Sequence, residues 1–194
     1  MAASKHIGLY FGTFNPIHIG HLIIANHFAE YTNLDTVWFV VTPHNPFKKK
    51  KTLLDDHHRL EMVRLACESY DKLEASDVEF KLPQPNYTAH TLAQLFEKYP
   101  QYRFSLIMGE DNLKSFHKWK NYEVILENHE LYVYPRIAEG VNNFTDHPKI
   151  HEVKAPIIEI SSTFIRKSIS ENKNVRPYFP DVVWRYIDEM NFYR

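Results

Sequence analysis

Apolar residues follow two alternating patterns along the chain, short continuous runs and longer stretches that repeat every three to four residues. Continuous runs such as WFVV and FSLI are typical of parallel strands covered on both faces, whereas the longer repeat is typical of amphipathic helices. The first pattern predicts strands at 7–11, 37–42, near 78–82, 104–108, 131–134 and near 157–160. The second predicts helices at 19–31, 56–70, 88–99, 112–119, 162–172 and 181–190.

This alternation predicts an α/β fold, a doubly wound parallel sheet with right-handed crossovers and helices on both faces. Ligands of such sheets bind beyond the carboxyl ends of the strands, where the winding direction reverses. The motifs described below follow predicted strands, so we expect them to share one crevice. The chain has no repeat, low-complexity tract or obvious linker, and residues 1–194 are expected to form a single domain.

The composition is that of an ordinary globular protein, with 44% hydrophobic and 24% charged residues. Because 23 basic residues nearly cancel 24 acidic ones, the net charge favours neither nucleic acid nor a membrane as partner. The first residues include no long apolar segment, and the single cysteine, Cys67, falls in the apolar repeat of a predicted helix. We therefore expect a cytoplasmic protein with a core thiol. Whether it forms a homo-oligomer is left open.

The first candidate site is the stretch 9–21, LYFGTFNPIHIGH, which runs from a predicted strand into a predicted helix. His18 and His21 are three residues apart in the first helical turn, so their rings should project from one face. Gly20 between them leaves the backbone bare for a close approach. A helix N-terminus favours anions, and two imidazoles would add donors aimed at the same point, which predicts a phosphate site. The alternative is a pair of surface histidines after an ordinary turn.

A second candidate anion site lies near the C-terminus, in the sequence ISSTFIR at 160–166. Ser161, Ser162 and Thr163 would supply hydroxyls and free amides at a helix start. Arg166 follows Ser162 by one helical turn, so its guanidinium should lie on the same face. Its planar fork suits two phosphate oxygens. A plain helix cap would explain Ser162 but not the whole cluster.

Lysines follow the second predicted strand, after the stiff segment TPHNPF at 42–47. Lys48 comes directly after the rigid part, and we expect it to reach a phosphate site. The following lysines, 49–51, are expected to be solvated surface.

A third polar segment, NYTAHT at 86–91, begins a predicted helix, with Asn86 or Thr88 as the expected N-cap. Capping alone would explain these residues, but the same free amides could hold a carboxylate.

A second strand-to-helix turn, GEDN at 109–112, carries an acid at its tip. Asp111 could bind a ribose diol, and capping the next helix is an equal alternative. Trp119, which follows, is either a core residue or a stacking platform.

Several enzyme classes lack their signature in this chain. There is no G-x-x-x-x-G-K-[ST], no G-x-G-x-x-G and no G-x-S-x-G pattern. Cys67 is poorly placed for a nucleophile, and His57 and His58, as helical neighbours, should diverge onto the surface. Without a clear nucleophile, chemistry on a nucleotide is most simply direct in-line attack by one bound substrate on another, which depends on positioning and charge stabilisation.

Residues 12–21 (GTFNPIHIGH) and 160–166 resemble the two signatures of the nucleotidyltransferases with an HxGH motif. The intervening landmarks at 43–48, 86–88 and 109–111, together with Trp119 and the tail at 178–193, resemble the bacterial nicotinate-mononucleotide adenylyltransferases. The resemblance implies a Rossmann-like nucleotidyltransferase fold. It also implies adenylyl transfer from ATP to nicotinate mononucleotide in NAD biosynthesis, giving deamido-NAD and pyrophosphate, with Mg²⁺ carried mainly by the phosphates.

The resemblance also implies roles for individual residues. His18 and His21 would stabilise charge on the ATP phosphates, with Arg166 as the third catalytic residue, while Ser162 and Thr163 help it hold the β and γ phosphates. The other nucleotide-binding positions are Gly12, Thr13, Phe14, Gly20, Lys48, Gly109, Asp111 (on a ribose), Ile160 and Ser161. The positions for the pyridine ring, its carboxylate and the rest of the acceptor are Tyr87, Thr88, Trp119 and Arg136.

The chain departs from the family pattern at three places. It has Phe11 before Gly12 where Gly-Gly is usual, Asn15 where Asp is frequent, and Ile-Ala at 137–138 where Pro-Gly commonly follows the arginine. Rival functions are a pantetheine-phosphate adenylyltransferase, in which threonine usually replaces His18, and a nicotinamide-mononucleotide adenylyltransferase. A non-catalytic nucleotide-binding sensor on the same fold is the rival from another class.

Overall fold

The computed structural model describes residues 4–43, 53–136 and 147–194 of the chain. Its strands are β1 (His6–Gly12), β2 (Thr36–Val41), β3 (Leu73–Ser76), β4 (Arg103–Gly109), β5 (Leu131–Tyr134) and β6 (Ile150–Glu152). Its α-helices are α1 (Ile19–Tyr31), α2 (Asp56–Cys67), α3 (Thr88–Lys98), α4 (Glu110–Ser115), α5 (Tyr122–Asn128), α6 (Ser162–Ser170) and α7 (Asp181–Glu189). Two 3-10 helices cover Phe116–Lys118 and Arg176–Tyr178.

The six strands form one parallel sheet in the order β3-β2-β1-β4-β5-β6. The order runs outward from β1 in one direction and from β4 in the other, so the winding reverses between these two strands. This confirms the predicted doubly wound sheet and fixes the crevice at the carboxyl ends of β1 and β4.

Each face of the sheet carries its own hydrophobic core, because successive strand residues point to opposite faces. In β1, Tyr10 belongs to the core on one face and Leu9 to the core on the other. Helices α1, α2, α6 and α7 contribute to the first core, through residues such as Phe28 and Ile165. Helices α3, α4 and α5 contribute to the second. The N-terminal and C-terminal signatures therefore lie on helices of the same face.

Two of the predicted strands were wrong. Residues 78–82 form turns, and the third strand is Leu73–Ser76, which pairs with Val37–Val40 of β2. Val78 and Phe80 pack against opposite cores without joining a ladder. Residues 157–160 are likewise outside any strand, and β6 pairs with β5 instead. In both cases the backbone ladder, rather than local hydrophobicity, decides which segment is the strand.

Helix α1 was predicted with its bounds correct, whereas several other ends differ. Helix α2 stops at Cys67, and α4 begins at Glu110, with Gly109 as its N-cap. Helix α5 was missed, because it is only about two turns long and its buried residues are Ile125 and Leu126. Burial raises the pKa of the Cys67 thiol to about 12, as expected for an unreactive core thiol.

Across the three described ranges, no helix combines the length and the apolar character that crossing a lipid bilayer requires.

Candidate active site

A cavity of about 440 Å³ opens at the carboxyl edge of the sheet, above the reversal point between β1 and β4. Both signatures line it, although they are nearly 150 residues apart in the sequence. The predicted site residues that line it are Gly12, Thr13, Phe14, His18, His21, Tyr87, Thr88, Asp111, Trp119, Arg136, Ile160, Ser161, Ser162, Thr163 and Arg166. The sheet topology thus brings most of the candidate residues to one place.

The two histidines of the first signature form a stacked pair at the start of α1. His18 is the N-cap of the helix, and its ring centroid lies 3.7 Å from that of His21. The His18 backbone N–H donates to His21 Nδ1 at 3.2 Å. In the neutral His21 ring the proton therefore sits on Nε2, which serves as a donor. The predicted common face is confirmed.

His18 is buried, with 3% of its surface exposed, and its Nδ1 has no hydrogen-bond partner among the described residues. Burial, assisted by the nearby charge of Arg136, lowers the pKa of His18 to about 4. The ring is therefore neutral at pH 7 and offers an N–H donor rather than a full charge.

Helix α6 docks directly onto the turn of the first signature. Arg166 Nη1 donates to the Asn15 carbonyl oxygen at 2.8 Å, and the Ser162 hydroxyl donates to the Pro16 carbonyl oxygen at 2.9 Å. Ser161 caps the helix by accepting from the Phe164 N–H at 3.2 Å. The guanidinium also approaches the Thr163 hydroxyl at 3.4 Å. Arg166 and the two histidines therefore face one cavity from neighbouring helix starts.

Arg59, which sequence reasoning missed, and Asn15 of the first signature hold this turn in place. Arg59 is 1% exposed and donates to the carbonyl oxygens of Thr13 at 2.6 Å and Thr42 at 3.0 Å, tying the loops after β1 and β2 together. Asn15 Oδ1 accepts from the Leu54 N–H at 3.2 Å. A buried arginine that serves only backbone carbonyls leaves no sequence signal, because its partners carry no side-chain identity.

The penultimate residue also reaches the turn. The Tyr193 hydroxyl donates to Asn15 Oδ1 at 2.9 Å, and burial raises the pKa of Tyr193 above its ordinary value. Asn15 thus receives one hydrogen bond from the chain end and another from the α2 approach. The amide meets these donors with a neutral acceptor, where the family frequently has an acid.

The opposite end of the cavity is formed by the start of α3 and by Trp119. Trp119 is half-buried, since its ring lies 5.3 Å from that of Phe116, against the second core, and it also lines the cavity. The expected N-cap at Asn86 or Thr88 was wrong, because Tyr87 is the N-cap and makes no side-chain cap. Asn86 instead donates its amide to the Glu79 carbonyl oxygen at 3.1 Å.

Glu79 is a further missed residue of this wall. It is 2% exposed and accepts from the Thr91 hydroxyl at 2.6 Å, so it links the turn after β3 to α3. Burial raises its pKa, although the hydroxyls of Thr91 and Thr42 partly oppose the shift.

Asp111 and Arg136 face each other at the mouth of the cavity, with Asp111 Oδ1 3.8 Å from Arg136 Nε. Arg136 also lies over the Tyr134 ring, 5.7 Å from its centroid. Both predicted positions are therefore at the site, joined in a half-exposed ion pair.

Two predicted positions among the described residues, Gly20 and Gly109, do not line the cavity. A Cβ on Gly20 would meet Ile158 Cγ2 at 2.7 Å and His18 Nδ1 at 3.0 Å, so its bare backbone admits protein atoms and not a ligand. Gly109 lies just below the cavity as the N-cap of α4. Lys48 falls outside the described residues, as do lysines 49–51. Of the two helical histidines expected on the surface, His58 is half-buried, with Nδ1 and the Tyr186 hydroxyl sharing a hydrogen bond of 2.8 Å.

Within residues 4–43, 53–136 and 147–194, no group of three or more His, Cys, Asp or Glu side chains is arranged to hold a metal ion. The described part of the cavity offers imidazole, hydroxyl and guanidinium donors, which suit anionic oxygens.

Comparison with known proteins identifies relatives along the whole chain. The cytidylyltransferase-like family model matches residues 9–168. The "Probable nicotinate-nucleotide adenylyltransferase" of Christiangramia forsetii is 68% identical over 98% of this chain and 100% of its own. The protein of the same description from Bacteroides fragilis is 46% identical over 96% of this chain and 92% of its own.

A solved structure supports the fold. The Plasmodium falciparum nicotinic acid mononucleotide adenylyltransferase complexed with NaAD superposes with a TM-score of 0.82, covering 97% of each chain at 21% identity. At that identity the likeness concerns the fold alone.

Proposed function

The chain belongs to the cytidylyltransferase-like family, and from this premise we propose that it is a nicotinate-nucleotide adenylyltransferase of NAD biosynthesis. A phosphate oxygen of nicotinate mononucleotide attacks the α-phosphorus of ATP. The bond from that phosphorus to the oxygen bridging to the β-phosphate breaks, and pyrophosphate leaves as deamido-NAD forms. We take residues 1–194 as one nucleotidyltransferase domain.

One observation carries the proposal: the two signatures converge on a single cavity. Arg166 is hydrogen-bonded to the turn that leads into the histidine pair, at 2.8 Å to the Asn15 carbonyl. A triphosphate laid across the starts of α1 and α6 would meet imidazole, hydroxyl and guanidinium donors along its length. This arrangement suits in-line transfer between two bound substrates, since it needs no nucleophile from the protein.

Within this proposal the side chains of the two signatures bind the ATP. His18 and His21 donate N–H groups to oxygens that gain charge as the α-phosphorus is attacked, and because His18 is neutral it does so without releasing a proton. Arg166, Ser162 and Thr163 hold the β and γ phosphates that leave together. Thr13 and Phe14 line the nucleotide end of the cavity.

The acceptor occupies the other end of the cavity. Tyr87 and Trp119 receive the pyridine ring, and the N–H groups at the start of α3, next to Thr88, donate hydrogen bonds to its carboxylate. Asp111 contacts a ribose, and Arg136 contacts the acceptor beside it, with Arg136 Nε 3.8 Å from Asp111 Oδ1 at the mouth of the cavity. Magnesium enters as the complex with ATP and is held mainly by the phosphates.

An acceptor panel tests the function. The purified chain is incubated with MgATP and, separately, nicotinate mononucleotide, nicotinamide mononucleotide or phosphopantetheine, and pyrophosphate release is measured. We expect turnover with nicotinate mononucleotide at a rate well above that with the other two. Preference for phosphopantetheine or for the amide would assign one of the rival transferases, and ATP binding without turnover on any acceptor would indicate a sensor.

A further inference from the structure

We propose that the Lys120 side chain selects nicotinate mononucleotide over nicotinamide mononucleotide by placing a positive charge beside the acceptor's carboxylate. The inference rests on the proposed function and adds a specificity-determining residue to it. Lys120 was not among the residues that the sequence pointed to.

The ammonium group of Lys120 lies against an aromatic ring. Lys120 Nζ lies 4.6 Å from the centroid of the Tyr87 ring, within the range of a cation–π interaction. Lys120 and Tyr87 both line the cavity, together with Thr88 and Trp119. The lysine is therefore held against the wall at which the pyridine ring is proposed to bind, although its side chain remains open to solvent.

The charge of Lys120 is not cancelled by a neighbouring carboxylate. Among the described residues Lys120 makes no ion pair, whereas Lys114 pairs with Glu110 at 3.5 Å and Arg136 pairs with Asp111 at 3.8 Å. The other acid lining this wall, Glu79, is buried, which favours its uncharged form. Among the described residues that line this end of the cavity, Lys120 is thus a positive group without an ion-pair partner.

A positive charge can distinguish the carboxylate of nicotinate from the amide of nicotinamide, which the N–H groups at the start of α3 cannot do. Acid and amide have nearly the same size, and each presents an oxygen that accepts from a backbone N–H. The N–H groups at the start of α3 would therefore bind both, with only a modest preference for the anion. A lysine within reach of the carboxylate attracts the acid alone. Because Lys120 is exposed, its attraction is partly screened, and we expect discrimination on the order of tenfold.

The experiment measures kcat/KM for both mononucleotides in the unchanged protein and in Lys120→Gln, Lys120→Arg and Lys118→Gln. Lys118 is the matched control, because it is an exposed lysine two residues away that does not line the cavity. In Lys120→Gln we expect kcat/KM for the acid to fall about tenfold, mainly through KM, while kcat/KM for the amide changes less than twofold. Lys120→Arg should keep most of the preference, and Lys118→Gln should match the unchanged protein.

A second readout separates charge from shape. The preference of the unchanged protein for the acid should weaken as ionic strength rises, whereas that of Lys120→Gln should not. Equal losses for both substrates, or an unchanged preference in Lys120→Gln, would overturn the inference. If the unchanged protein releases no pyrophosphate with either mononucleotide, the proposed function itself fails, which is a distinct result.

Discussion

The stacked histidine pair is the feature on which single-residue effects should be largest. His21 directs Nε2 as a donor because its Nδ1 accepts from the His18 backbone, while His18 is neutral and buried. Both rings line the cavity. Their contribution is therefore expected in the transition state, where charge develops on phosphate oxygens.

Replacing either ring by alanine should lower kcat by about two to four orders of magnitude, the scale of losing a preorganised donor to developing charge. The measurement is steady-state pyrophosphate release by His18→Ala and His21→Ala, with thermal melting to verify folding. His57→Ala, at an exposed position of α2, is the control and should retain normal turnover. Near-normal turnover in both signature variants would remove the role assigned to the pair.

The low pKa of His18 also predicts a pH-dependent stability. The unfolded chain protonates this histidine near pH 6.5 and the folded chain only near pH 4, so folding opposes protonation. The stability contribution is therefore complete above pH 6.5 and falls by up to about 3 kcal/mol as the pH drops to 4.

Urea unfolding at several pH values between 7.5 and 4.5 tests this, comparing the unchanged protein with His18→Asn. Asparagine can cap α1 but does not titrate, so the variant should lose less stability on acidification. His6 and His129, whose pKa values burial also lowers, leave a residual slope in both proteins. Identical slopes in the two proteins would contradict the assignment.

At the scale of elements, the start of α6 performs two tasks at once. The Ser162 hydroxyl and the Arg166 guanidinium donate to the backbone of the turn before α1, and both residues line the cavity. An arginine that is already held by a backbone carbonyl loses less freedom when it binds phosphate. Helix packing and substrate binding therefore depend on the same residues.

Arg166→Ala should raise KM for ATP by about 10- to 100-fold, the range expected for losing a charged hydrogen bond. Steady-state kinetics with ATP varied at saturating acceptor measure the change. Lys167→Ala is the control, because Lys167 is exposed on the same helix and pairs only with Glu171 at 3.8 Å. Unchanged ATP kinetics in Arg166→Ala would count against the second signature as a phosphate site.

The elements also show where local pattern was sufficient. Helix α1 and strand β5 were predicted with the bounds that the structure has, since their apolar residues face one core or two cores in regular order. The predicted strands near 78–82 and 157–160 failed, because apolar residues there pack without pairing. Strand identity depends on a neighbour that is distant in sequence, which periodicity does not contain.

At the scale of the whole molecule, residues from the first and last parts of the chain meet at the active-site turn. Asn15 Oδ1 receives the hydroxyl of Tyr193 at 2.9 Å, and the Asn15 carbonyl receives the guanidinium of Arg166 at 2.8 Å. The turn that leads into α1 is therefore held by residues from the last part of the chain.

Tyr193→Phe should lower the free energy of unfolding by about 1 kcal/mol, since one buried hydrogen bond is lost while Asn15 keeps the Leu54 N–H. It should also raise KM for ATP a few-fold, because the turn that carries the histidine pair is held less firmly. Chemical denaturation and ATP kinetics measure the two effects. Tyr31→Phe, at a tyrosine that is 75% exposed, is the control. Equal stability and equal KM for ATP in the two variants would contradict the role assigned to the Tyr193 hydroxyl.

The sequence by itself determined the α/β class, the doubly wound parallel sheet and the two signature stretches, most of whose predicted residues line the cavity. These features are encoded locally, in periodicity and in side chains a few positions apart, so a single stretch of chain reveals them. Only the tertiary structure decided which residues support the cavity, such as Arg59, Glu79 and Tyr193, and that Lys120 lies beside Tyr87 in its wall. Their partners are backbone carbonyls or side chains far along the chain, and such contacts exist only after the sheet has brought distant segments together.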